Sequence, residues 1–201
     1  IMTVTLVMSI YLFYLAKNTN VSTLQEGLKQ VTTIYDKDGD EAGTTSKYGS
    51  KGSFVQSENI SPFIKDALVS TEDRKFYEHK GYDIKGIARA AVRKVVRRNN
   101  SGGGGSTITQ QLLKNNVFNA YNESTIEKIK RKVQEQYLAI KLETVMDKDS
   151  ILENYLNTIN LGNGYYGVQA AANGYFNKDV SELTLSECAV LASITKNPSR
   201  L

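Results

Sequence analysis

Three copies of one pattern divide the C-terminal part of this chain: Ser124-x-x-Glu127, Ser150-x-x-Glu153 and Thr184-x-x-Glu187. In each, a hydroxyl can accept from the backbone N–H three residues on, while the acid reaches back to the capping residue's own N–H. Each stands ahead of an apolar run with helical spacing, so the three mark helix starts, the longest helix running from Ser124 to about Met146. Two prolines in 201 residues leave such helices uninterrupted. Upstream, Ser61-Pro62 opens a helix with Ile64, Leu68 and Val69 on its apolar face. Another covers roughly Asp83 to Asn99, and a third starts near Thr107 and carries Ile108, Leu112 and Leu113. Between the last two caps, LGNGYYGVQAAANGYF is rich in glycine and small residues, which predicts a short helix packed tightly in the interior. Neither an internal repeat nor a βαβ alternation is visible. The fold expected is mainly α.

The N-terminus reads differently. IMTVTLVMSIYLFYLA carries no charge and is closed by Lys17 and Asn18. As a helix its 16 residues cover about 24 Å, slightly short of the ~20 residues that cross a bilayer core. Tyr11, Phe13 and Tyr14 near one end suit a membrane interface, so 1–17 is read as a transmembrane anchor. A polar connector follows over 18–60. In it Thr32 to Tyr35 reads as a strand and Asp38-Gly39 as a hairpin turn. Asp36, Asp38 and Asp40 alternate as calcium ligands do, but Glu41 and Lys47 stand where that loop needs Gly and Glu. They are turn aspartates.

The residues from 61 to 201 carry the chemistry. One histidine, His79, and one cysteine, Cys188, leave too few parts for zinc sites or a nucleophile–histidine pair. The run GGGGST lacks the lysine of a phosphate-binding loop. Carboxylates with basic support remain. Glu72 and Asp73 end the first helix, where acids oppose the helix dipole, and residues that break a local rule often have a functional reason. Taken alone they also fit a solvated surface pair. Glu135 lies one turn after Arg131, which alone fits an ordinary i,i+4 ion pair.

Five segments occur in order: TEDRKFYEHKGYD, GGSTITQQLLKN, RKVQEQYLAIKLE, KDSILENYLNTINLGNGYYGVQAAANGYF and LTLSECAVLAS. Each resembles one of the five motifs of the family 51 peptidoglycan glycosyltransferases, the polymerising domain of class A penicillin-binding proteins and of monofunctional transglycosylases. The resemblance covers about Ile60 to Leu201. It implies a lysozyme-like, mainly α-helical domain with a small membrane-proximal lobe behind an N-terminal transmembrane helix. The implied substrates are lipid II and the growing glycan strand. By the same resemblance, Glu72 is the general base for the acceptor 4-hydroxyl in a single inverting displacement. Lys114, Arg131 and Lys132 match the basic positions around the departing diphosphate. Glu135 matches the second essential carboxylate, holding those cations or a divalent ion, Mg2+ or Mn2+; no organic cofactor is implied. Asp73, Ser106 and Gln111 are further motif matches assigned to substrate binding. A general base works best with its pKa raised toward the operating pH, so Glu72 is expected to be partly desolvated or near another carboxylate.

The glycine run then borders the cleft and is not an interdomain linker. His79 and Gly81 are expected to be structural, the histidine satisfied by backbone partners near a tight turn. Glu153, Tyr155, Asn157, Gly162 and Gly167 belong to the fourth motif, and the resemblance implies that they maintain the cleft floor. NNVFNAYNESTIEKIK is longer than in the best-known members, and no substrate-binding arginine stands among Asn122, Glu123, Lys128 and Lys130. KGIARAAVRKVVRRNN places Lys85, Arg89, Arg93, Lys94, Arg97 and Arg98 among apolar residues, a pattern suited to anionic lipid or to an ordinary solvated face. The anchor and the extracytoplasmic motif set argue against nucleic acid as its partner. The implied setting is the bacterial cell membrane, single-pass, with the catalytic domain outside and a transpeptidase, fused or separate, among its partners. A lytic enzyme has no reason for cations around a diphosphate, and a silent scaffold none to keep both Glu72 and Glu135.

Overall fold

The computed structural model describes residues 32–35, 37–38, 41–45, 54–97, 105–118 and 123–198, with helical positions at 10, 14 and 17. The rest of the anchor, Asp36, Gly39 and Asp40, the glycines at 102–104, Asn122 and the last residues lie outside them, as do the side chains of Arg93, Lys94, Arg97 and Arg98. No helix among the described residues is long and apolar enough to cross a membrane. Strands β1 (Thr32–Tyr35) and β2 (Glu41–Thr45) pair antiparallel across the expected turn, with a register shift at Ile34/Tyr35.

Seven helices follow among the described residues: α1 (Pro62–Glu72), α2 (Ile84–Arg97), α3 (Ile108–Asn116), α4 (Thr125–Val145), α5 (Lys148–Thr158), α6 (Val168–Phe176) and α7 (Leu185–Ile194). The capping boxes at Ser124 and Thr184 form as the sequence predicts. A further one, Thr107 with Gln110, opens α3. Helix α5 differs: its cap is Asp147, whose Oδ1 accepts from Ser150 N–H at 2.7 Å, so Ser150 lies inside the first turn. A carboxylate at the N-cap also meets the positive end of the helix dipole, and it wins over the serine three residues later. Glu153, released from capping, accepts instead from Ser57 N–H at 2.6 Å, and Asn157 brackets Val55 through its N–H and C=O. Helix α5 thereby fixes the chain entering α1. At Pro62 the helix starts as expected, but Ser61 makes no side-chain cap.

The core is one cluster. Ile64 and Leu68 of α1 join Cys188, Leu191 and Ala192 of α7, while α3 lies between α4 and α5 with Ile108, Leu112 and Leu113 fully covered. Helix α6 is buried over Val168, Gln169, Ala170, Ala171 and Ala172, mostly small side chains.

Candidate active site

Helix α3 joins the two acidic centres. It begins at the buried Thr107, whose hydroxyl donates to Gly81 C=O at 2.8 Å and so ties the helix start to the turn after the first motif. One turn on, Gln111 Nε2 donates to Glu72 Oε2 at 2.9 Å, and Tyr155 OH donates to Gln111 Oε1 at 3.3 Å. The other carboxylate oxygen of Glu72 accepts from Thr195 Oγ1 at 2.5 Å, just past the end of α7. Glu72 is half-buried, and each of its donors is neutral. Burial first, then the nearby charges of Glu72 and Asp73, push the Tyr155 phenol well above its usual range. Glu72 is thus partly removed from solvent.

Glu72 and Asp73 diverge despite being adjacent. Asp73 is buried, and its Oδ2 accepts from Ile108 N–H at 3.0 Å and lies 2.8 Å from His79 Nε2. These contacts tie the first motif to the start of α3. His79 has side-chain partners and not the backbone partners expected from the turn: Asp73 on one nitrogen and Lys148 Nζ, at 3.5 Å, on the other. An ammonium only donates, so Nδ1 accepts and Nε2 carries the proton given to Asp73. Lys148 also donates to Glu143 at 2.7 Å, and Glu143 accepts from Thr109 Oγ1 at 2.6 Å. The first turn of α3 is held at two points by this buried network.

Glu135 is the opposite of Glu72. It is fully buried on α4, with Arg131 on one oxygen and Lys132 Nζ on the other at 2.6 Å. Lys132 also reaches Ser106 Oγ at 3.0 Å, joining this centre to the residue just ahead of α3. The far edge of the Arg131 guanidinium donates twice to Glu123, through Nε at 2.7 Å and Nη2 at 2.8 Å. That paired contact holds the Glu123 carboxyl below its usual range. Every oxygen that a divalent ion needs here already faces a cation, and among the described residues no group of three His, Cys, Asp or Glu side chains converges. The donor set does not fit a metal at Glu135.

Lys114 stands three residues beyond Gln111 on α3, exposed and with no ion pair among the described residues. It lies about one turn along α3 from Gln111, the residue that contacts Glu72. On α2, Lys85 and Arg89 are exposed beside the apolar Ile84 and Val92. The contacts of Glu72 to Thr195 and of Glu143 and Lys148 to the first motif were missed by sequence reasoning. Thr195 carried no signal, being a polar residue after an apolar helix, whereas the helix-end placement of Glu143 and Lys148 gave only proximity to each other.

Residues 38–201 match the family described as Transglycosylase. The chain is 40% identical over 193 residues to penicillin-binding protein 2a of Streptococcus pneumoniae, covering 96% of this chain and 25% of that protein. It is 44% identical over 166 residues to penicillin-binding protein 1F of Bacillus subtilis, covering 83% and 22%. With penicillin-binding protein 1A of Clostridium perfringens the identity is 45% over 148 residues, covering 72% and 21%. The chain spans about a quarter of the length of these relatives.

Proposed function

The chain belongs to the transglycosylase family, the peptidoglycan glycosyltransferases, and from that premise we propose that it polymerises lipid II into β-1,4-linked glycan with release of undecaprenyl diphosphate. The observation that carries the reading is the state of Glu72: half-buried, oriented by two neutral donors, and with the exposed Lys114 one turn along α3 from its Gln111 contact. An amide and a hydroxyl orient a carboxylate without setting a positive charge against it, and each oxygen keeps a lone pair free. It can take the proton of the acceptor 4-hydroxyl as that oxygen attacks the donor's anomeric carbon from the face opposite the diphosphate, which inverts the centre. The departing diphosphate is already a stable anion and needs charge stabilisation more than a proton. Lys114 and the half-exposed Lys132 supply it, with Arg131 behind them. Glu135 fixes the two α4 cations in place. Asp73 and Ser106 act through Ile108 and Lys132, and Gln111 aims the base. In this reading 1–17 anchors the enzyme in the bacterial membrane with residues 61–201 outside, and a transpeptidase is fused or recruited. The test is polymerisation of purified lipid II by the chain and by Glu72→Gln, with products resolved by length. Glycan from the parent and none from the variant supports the reading; glycan from both removes Glu72 as the base.

A further inference from the structure

Thr195 Oγ1 faces two oxygens, Glu72 Oε1 at 2.5 Å and Ala192 C=O at 2.8 Å. Both are acceptors while Glu72 is ionised, and a hydroxyl has one hydrogen to give. The shorter contact is to the carboxylate, as a charge-assisted bond should be. Gln111, on the other oxygen, is oriented by Tyr155, which donates to its Oε1, so its amide nitrogen can only donate. The two oxygens of Glu72 are therefore not equivalent. Oε2 faces a permanent donor and is poorly placed to hold a proton. Oε1 faces a group that can donate or accept.

We infer that Thr195 is a positioning residue that serves the carboxyl group of Glu72 in both of its protonation states. The inference rests on Glu72 being the general base. Before reaction, the Thr195 hydrogen lies on Oε1 and fixes the carboxylate against α7. In the reaction the O–H bond of the acceptor hydroxyl breaks and an O–H bond forms on Glu72 Oε1. That new O–H donates to Thr195 Oγ1, while the threonine's own hydrogen rotates to Ala192 C=O. No bond of Thr195 breaks; its hydroxyl turns. At each stage every hydrogen has an acceptor, and the buried Ala192 provides the second resting place from the last turn of α7. The residues next to Glu72 leave no substitute: Asp73 is committed to Ile108 and His79, and Tyr155 to Gln111.

The test is steady-state polymerisation by the full chain, with Thr195→Val, Thr195→Ser and Glu72→Gln in parallel. Valine keeps the shape and removes the hydroxyl, so kcat falls about ten- to a hundredfold, the loss of one hydrogen bond to a charged group. KM for lipid II stays within about twofold, and serine restores kcat to within about threefold of the parent. A valine variant with parental kcat, or serine and valine falling together, overturns the inference while a silent Glu72→Gln leaves the general-base reading standing. Full activity in Glu72→Gln removes both.

Discussion

Gly81 offers a stability measurement with an internal control. Its φ is +90°, and a Cβ there meets Ala139 C at 2.6 Å, Ala139 O at 2.7 Å and Ile140 N at 2.8 Å. All three are backbone atoms of α4, so no side chain can rotate out of the way. Gly164 has a similar φ of +77° but nothing within 4 Å of its Cβ position. Alanine at Gly164 thus costs only the backbone conformation, about 2 kcal/mol. Alanine at Gly81 adds overpacking of similar size, for a total of about 4 kcal/mol. At about 3 °C per kcal/mol for a domain of this size, Tm should fall about 12 °C for Gly81→Ala and about 6 °C for Gly164→Ala. Thermal unfolding followed by circular dichroism reads both. Activity separates them further, because Gly81 C=O accepts from Thr107 at the start of α3. Pushing that turn off α4 moves the helix that aims Gln111, so Gly81→Ala should lose polymerisation even below its Tm while Gly164→Ala keeps it. Equal Tm losses for the two variants would refute the packing argument.

Tyr155 gives a pH prediction. Its phenol is held protonated by burial and by the charges of Glu72 and Asp73, so the folded pKa lies above that of the unfolded chain. The stability this represents is complete below about pH 10 and is lost as pH rises through the folded value, because only the unfolded chain releases the proton. The urea midpoint should therefore fall less between pH 8 and pH 10.5 in Tyr155→Phe than in the parent; equal falls would contradict it. Glu123 gives a kinetic one. It occupies the edge of Arg131 that points away from Glu135, an edge whose two donors suit a diphosphate oxygen equally well. On the proposed function, Glu123→Gln should lower KM for lipid II severalfold with kcat little changed, since Glu135 still holds the guanidinium; a raised KM would mean that Glu123 supports the site and does not compete for it.

Helix starts were legible because capping is local: Ser124 and Thr184 act within three residues of themselves. The same rule misplaced the start of α5, where two candidate caps, Asp147 and Ser150, stand three residues apart and only packing chooses between them. The hairpin was legible from its turn. His79 was misread in its partners because the turn that carries it is local, whereas Lys148 arrives from α5, 69 residues on. Thr195 was invisible for the same reason: it meets Glu72 across 123 residues of sequence, where no periodicity reaches. Motif resemblance supplied Glu72, Gln111 and Glu135 without geometry. It could not say that Asp73, adjacent to Glu72, turns inward to Ile108 and His79.

The two glutamates at the centre of the site are chemically identical, and on the proposed function their surroundings assign them different work. Glu135 has a cation on each oxygen and no exposed surface, so a proton arriving there must displace the buried Arg131 or the half-exposed Lys132. Its place is suited to fixing positive charge. Glu72 is held by an amide and a hydroxyl, which orient it without cancelling its charge and which tolerate its protonation. Exchanging those environments would exchange the roles: a cation on Glu72 would stabilise its ionised form and weaken it as a base. On the proposed function, the positive charge around Glu135 and its absence from the hydrogen bonds of Glu72 are one requirement, separating the group that takes a proton from the groups that receive an anion. Helix α3 meets it by contacting the first centre through Gln111 and, through Ser106 just ahead of it, the second, so that any shift of the helix disturbs both.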